Sequence, residues 1–205
     1  MNLTACIEHC RISVSNFTNG ILMILISIAD VKTQPAGNIN KYLCYMSKEI
    51  KPIRRSKQLA PLSREHHDGL MYVWKIREGL RNGAAIGKLK QYTIWFWQQH
   101  IKPHFYQEEK ILLPYMPANH ELAIRLKKEH ENIREFILNL DREAEQATFV
   151  QLCDLLDDHI RFEERQVFSF LEQTLPADKL NDIYLQLEQH PVCAGKWEDE
   201  FWVKR

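Results

Sequence analysis

From residue 61 onward, apolar positions recur every three or four residues, the period of helices buried along one side. Four such stretches are long. The first begins after Pro61-Leu62 with Ser63 as N-cap and Glu65 in the first turn, and it stops near Asn82-Gly83; Leu70, Val73, Trp74 and Leu80 mark its inward stripe. The second runs from about Lys88 to Leu113, carries Ile94, Trp95, Trp97 and Ile101, and ends before Pro114. Pro103 interrupts it and predicts a kink directly before His104. The third covers about Asn119 to Leu140, with Leu122, Leu126, Ile133, Ile137 and Leu140 at helical spacing. The fourth, capped by Thr148, continues through Leu152, Leu155, Leu156, Ile160, Val167 and Leu171 to Pro176. Connections of roughly 4 to 9 residues between long helices require antiparallel neighbours. The expected fold is therefore all-α: an antiparallel up-down four-helix bundle over residues 61–176, followed over 177–205 by a short C-terminal helix (Asp178 to Glu188) and a tail whose Trp197, Phe201 and Trp202 pack over the bundle's outside.

The text before residue 61 differs. Residues 1–45 are frequent in Ser, Thr, Asn and Ile, carry few charges and hold no helical period, so they read as a non-domain N-terminal extension. At Met46 the text changes to Met46-Ser47-Lys48-Glu49-Ile50-Lys51-Pro52, with the polar character of an ordinary protein N-terminus, and residues 46–60 are expected to form a flexible lead-in. The apolar run Ile21 to Ala29 falls well short of the roughly 20 residues that cross a bilayer. It also lacks the basic flank and cleavage site of a signal peptide.

Composition narrows the partners. Lysine plus arginine and aspartate plus glutamate both number 27, so no global basic field attracts nucleic acid or an anionic membrane; Arg54, Arg55 and Lys57 are only a local patch. The five cysteines (Cys6, Cys10, Cys44, Cys153, Cys193) are odd in number and include no C-x-x-C pair, which argues against a zinc ribbon or a disulfide framework and for reduced thiols in a cytoplasmic protein.

The chemistry lies in the polar residues of the helices. His104 with Glu108 and His159 with Glu163 form two His-x-x-x-Glu units, and residues four apart on a helix share one face about 6 Å apart. The helices preceding each unit bring one more histidine, His66 in Glu65-His66-His67 and His130 in Glu129-His130. Any one of these histidines, taken alone, reads better as an ordinary hydrogen-bonded or solvated side chain. The repeat across four helices reverses that, because imidazoles and carboxylates facing an apolar interior are costly unless something satisfies them, and metal coordination does so most completely. Six nitrogen and oxygen ligands, two of them carboxylates able to bridge, suit a pair of non-haem iron ions, with manganese and zinc ranking behind. The spacing differs from the Glu-x-x-His of ferritin-like carboxylate proteins.

Over about residues 60–175 the chain resembles the hemerythrin-like HHE cation-binding domains, on Glu65-His66, His104-x-x-x-Glu108, Glu129-His130 and His159-x-x-x-Glu163. The resemblance implies a four-helix bundle with a di-iron centre, used in that family for reversible oxygen binding, oxygen or iron sensing, or repair of damaged iron–sulfur centres. It implies His66, His104, His130 and His159 as terminal ligands, Glu108 and Glu163 as bridges, and a small diatomic molecule or peroxide as the partner. Oxygen-carrying members have a further histidine where this chain has Arg134, so the centre is expected to keep two open positions where the carriers keep one. That favours redox chemistry, reaction with peroxide or nitric oxide, or sensing over clean oxygen carriage. His100, one turn before His104, and His67 are the residues placed to fill the gap.

Two rivals follow. One is a di-iron enzyme of iron–sulfur repair or peroxide reduction, although residues 1–60 do not resemble the cysteine-containing N-terminal domain of the repair proteins. The other is an unmetallated interaction bundle, with Trp197 and Trp202 on a partner surface. The expected boundaries also place His66 only one turn inside its helix, which would demand a stagger of that helix along the bundle.

Overall fold

The computed structural model describes residues 55–140, 144–192 and 195–204. The proposed extension 1–45, the first part of the lead-in, the run Ile21 to Ala29 and four of the cysteines lie outside them. Among the described residues the protein is all-helical. No helix there is long and apolar enough to cross a membrane.

Helix α1 spans Ala60–Arg81. It starts before Ser63, because Pro61 sits in the first turn, where its missing N–H is not needed and its fixed φ favours the helix. The earlier start carries His66 nearly two turns inside α1 and removes the need for a stagger. Ser63 is not the cap. Its hydroxyl donates to Glu164 at 2.6 Å instead.

Helix α2 is α-helical over Ile86–Phe96, widens into a π-turn at Trp97–Ile101, returns to α-helix at Lys102–Gln107 and widens again at Glu108–Leu112. The irregularity expected from Pro103 thus takes the form of the π-turn just before it, where the wider backbone accommodates a residue that has no N–H to donate and whose ring crowds the preceding turn. Helix α3 spans Glu121–Leu138 and is capped by the His120 side chain, which accepts from the Leu122 amide at 3.2 Å. Helix α4 runs Gln146–Phe162, widens at Glu163–Val167 and closes with Phe168–Thr174. Its cap is Glu145, with Thr148 as the reciprocal member of a capping box. Helix α5 follows over Ala177–Gln189.

Packing corrects the inward stripe expected for α1. Leu62, His66, Gly69, Tyr72, Val73, Ile76 and Gly79 are buried, whereas Leu70 and Trp74 are 37% and 46% exposed. Leu155 of α4 is likewise exposed. The stripe of α1 passes through glycines, which a search for large apolar residues overlooks.

Two apolar clusters flank a polar layer. One gathers Tyr72 and Ile76 of α1, Leu89 and Phe96 of α2, Ile133 and Ile137 of α3, and Phe149 and Leu156 of α4. The other gathers Leu62, Ile111, Leu112, Leu126, Val167 and Phe168, together with Ile183 and Leu187 of α5. Between them, on each of α1 to α4, stands a buried histidine.

The chain ahead of α1 is pinned where described. Arg55 inserts its guanidinium between Glu164 (2.7 Å) and Glu172 (2.8 Å) of α4, the Ser56 amide donates to Glu172, and Leu59 is fully buried. At the other end, Phe201 is buried against Gly79, where a Cβ would lie 2.6 Å from its ring, and Trp197 and Trp202 pack around Tyr92 with centroids at 5.3 and 5.9 Å. The two tryptophans therefore cover their own bundle.

Candidate metal centre

The structure brings together all six side chains singled out from the sequence. His66, His104, Glu108, His130, His159 and Glu163 are all buried, both glutamates completely. They form two overlapping quartets, His66, His104, Glu108 and Glu163, and Glu108, His130, His159 and Glu163, in each of which one ligand atom per residue lies within 4.8 Å of the others. Both quartets share the two glutamates. Each glutamate begins a π-turn, a widening often found at functional sites.

The inward atoms approach without bonding. His66 Nε2 lies 3.0 Å from Glu163, His130 Nε2 3.2 Å from Glu108 and His159 Nε2 3.2 Å from Glu163, yet none of these contacts has hydrogen-bond geometry. Nine buried side-chain nitrogen and oxygen atoms among the described residues lack a hydrogen-bond partner; eight are the four histidine Nε2 atoms and the four carboxylate oxygens of Glu108 and Glu163. An orphaned buried polar atom costs about 1–3 kcal/mol. Eight such atoms facing one another fit a cationic group held among them.

The opposite ring nitrogens are all occupied. His104 Nδ1 meets Glu65 at 2.7 Å, His130 Nδ1 meets Glu109 at 2.9 Å, His159 Nδ1 meets Glu129 at 2.9 Å and His66 Nδ1 meets Glu164 at 2.8 Å. Each contact joins one helix to the next: α1 to α2, α2 to α3, α3 to α4, and α4 back to α1. The four carboxylates close a ring around the bundle. A carboxylate that accepts from Nδ1–H fixes the tautomer and leaves the Nε2 lone pair pointing inward.

This outer ring is what the sequence reading missed. Its signal is a doublet, Glu108-Glu109 and Glu163-Glu164, which extends the repeat to Glu-His followed by His-x-x-x-Glu-Glu, twice. Arg125 and Arg134 brace two ring members, donating to Glu129 at 2.6 Å and Glu109 at 3.1 Å. Arg134, which stands where oxygen carriers place a histidine, thus points to Glu109 and not into the centre. Of the two residues placed to fill that gap, His67 is 73% exposed on its side chain. His100 stacks on Phe96 at 4.3 Å and joins neither quartet, although it lines a cavity beside the centre.

The carboxylates favour the charged form of two of the four histidines. Burial opposes charge on His130, yet contacts with Glu108, Glu109 and Glu163 outweigh it and push its pKa up to about 11. His66 is raised in the same way, burial being overcome by Glu108, Glu163 and Glu164. Burial alone would raise Glu108 and Glu163; the surrounding histidines hold both below the usual carboxylate range. A cation held at Nε2 of His66 or His130 would compete with the proton there.

Glu164 carries a testable consequence. Burial disfavours its charge, but hydrogen bonds from His66, Ser63 (2.6 Å) and Arg55 prevail and hold it down to about 2. A carboxyl lowered in the folded state stabilises the fold above its ordinary value near 4.5, and that contribution is lost as pH falls toward about 2. Thermal melts of metal-free protein are expected to fall across this window. In Glu164→Gln the fall is expected to be shallower, while an identical slope would assign the acid sensitivity elsewhere.

A helical bundle with a buried histidine–glutamate layer able to hold cations is the class that fold and site define. The chain belongs to the hemerythrin family: the description hemerythrin HHE cation binding domain matches residues 58–171. No curated protein and no solved structure matches it.

Proposed function

We propose that this protein holds two non-haem iron ions, one in each quartet, and binds or senses oxygen or a related small oxidant there. The observation that carries this reading is the set of eight orphaned inward atoms on the six family-motif residues. His66 and His104 would be terminal ligands of one ion, His130 and His159 of the other, and Glu108 and Glu163 would span both. A donor set of imidazoles and carboxylates without thiolate suits iron or manganese better than structural zinc. The order of the two apolar clusters supports an up-down antiparallel bundle, since it reverses from each of α1 to α4 to the next.

Bound there, an iron pair supplies exchangeable electrons and open coordination positions for a small ligand. The protein supplies the rest. The carboxylate ring aims the imidazoles, and the six carboxylates of centre and ring offset cationic charge in an apolar interior. Reaction with peroxide or nitric oxide is the second reading, favoured by the cavity beside His66, His104 and Glu163 together with the outward turn of Arg134. A cytoplasmic location belongs to the same proposal and rests on cysteines without a disulfide or zinc pattern.

Iron analysis combined with the optical spectrum tests the reading. Two irons per chain and the near-ultraviolet absorption of a bridged ferric pair are expected. Protein purified from iron-supplemented cells without stoichiometric metal would end it. Mixing the reduced form with oxygen, peroxide and nitric oxide then separates sensing from catalysis.

A further inference from the structure

We propose that Gly69 sets the size of the molecule that reaches the metal pair, admitting two- or three-atom ligands and excluding longer ones. The proposal rests on the di-iron reading for the ligand's destination. Its physical basis is a cavity of about 30 Å³ walled by α1, α2 and α4, with Val192 from the segment after α5. It touches four of the six ligand residues, His66, His104, His159 and Glu163, and neither His130 nor Glu108, so it meets the centre from one side. A site for one water takes at least roughly 10–15 Å³ on such a measure, so this space suits a very small molecule. Apart from the ligands and Glu65, its walls are mostly apolar.

Gly69 lies in the interior of α1, three residues past His66, and is buried. Glycine there costs about 1 kcal/mol of helix stability relative to alanine, so local propensity does not explain it. Space does. A Cβ at position 69 would stand 2.8 Å from Ile160 Cδ1 on α4, closer than such atoms approach. Ile160 would have to give way, and Ile160 is itself a wall of the cavity. Whether the new methyl or the displaced isoleucine fills the space, the room beside the centre shrinks. Farther out, Phe96 and His100 line both this cavity and a larger one of about 280 Å³ beneath the C-terminal tail. The two spaces adjoin across Phe96 and His100, and of the two the one that touches the metal-ligand residues is the smaller and has Gly69 in its wall.

The test compares wild type, Gly69→Ala and Gly69→Ala/Ile160→Val. Alanine favours the helix, and circular dichroism with iron content verifies that fold and centre survive. In iron-loaded protein, the azide dissociation constant read from the absorption spectrum is expected to rise about tenfold in Gly69→Ala, the effect of modest overpacking, and to recover in the double variant. Nitric oxide, one atom shorter, is expected to lose less. A second arm needs no iron: in zinc-loaded protein under oxygen pressure, paramagnetic relaxation of the Leu156 methyl resonances is expected to weaken in Gly69→Ala and return in the double variant.

Azide affinity within about twofold of wild type, with iron retained, overturns the proposal. So does loss of iron in Gly69→Ala, which would make the residue a structural support. If the protein takes up zinc but no iron and the relaxation arm behaves as expected, the di-iron reading fails while the size limit at Gly69 stands.

Discussion

Glu108→Ala/Glu163→Ala is expected to abolish metal binding while leaving the bundle helical. The two glutamates are the members common to both quartets, so their loss removes every carboxylate from the centre and leaves each half with only two imidazoles. Histidine pairs alone bind a divalent ion weakly and offer nothing to hold two cations close together. The fold is expected to tolerate the change, because the double variant removes two fully buried charges and with them much of what raises His66 and His130. Each single variant, Glu108→Ala or His159→Ala, is expected to lower metal content sharply. Cys153→Ala is the control. Its thiol is buried near the Val73 carbonyl, and burial pushes its pKa up to about 12, so it is no thiolate donor at neutral pH. Elemental analysis with circular dichroism reads all four variants, and two irons per chain in the double variant would refute the shared role of the glutamates.

These residues were legible in sequence because i, i+4 spacing is a property of one helix. His104 and Glu108 share a face whatever the neighbouring helices do, and so do His159 and Glu163. The carboxylate ring was not legible for the converse reason. Glu109 and Glu164 adjoin Glu108 and Glu163 in sequence but point to a different side of the helix, where each meets a histidine of the next helix. That meeting depends on helix order and axial register, which periodicity in one segment does not encode. The start of α1 is ambiguous in sequence on similar grounds: Pro61 reads equally as a break before a helix or as its first turn, and burial of Leu59 and Leu62 decides for the latter. The two glycines of the α1 stripe leave no mark in hydropathy, because what each makes room for, Ile160 of α4 and Phe201 of the tail, lies on another element. The π-turns at Glu108 and Glu163 leave none either.

Glu129→Gln is expected to weaken metal affinity by about tenfold to a hundredfold while two ions still bind at saturation. Glu129 touches no inward ligand atom. It accepts from His159 Nδ1 at 2.9 Å and from Arg125 at 2.6 Å, half-buried at the edge of α3. Glutamine keeps an oxygen in the same place and can still accept from Nδ1–H, so the tautomer and the aim of His159 survive. What it loses is the negative charge, which makes the imidazole a stronger donor and offsets the cations within. Its effect therefore belongs to affinity and not to stoichiometry, unlike that of the double alanine variant. Competition against a chelator of known affinity separates the two. His67→Ala, altering an exposed histidine of α1, is expected to leave the curve unchanged. An unaltered curve for Glu129→Gln would show that the ring merely orients the imidazoles. A curve shifted by the expected amount would show that the electrostatic work at the centre extends to a second layer of glutamates, each contributed by the helix next to the histidine it supports.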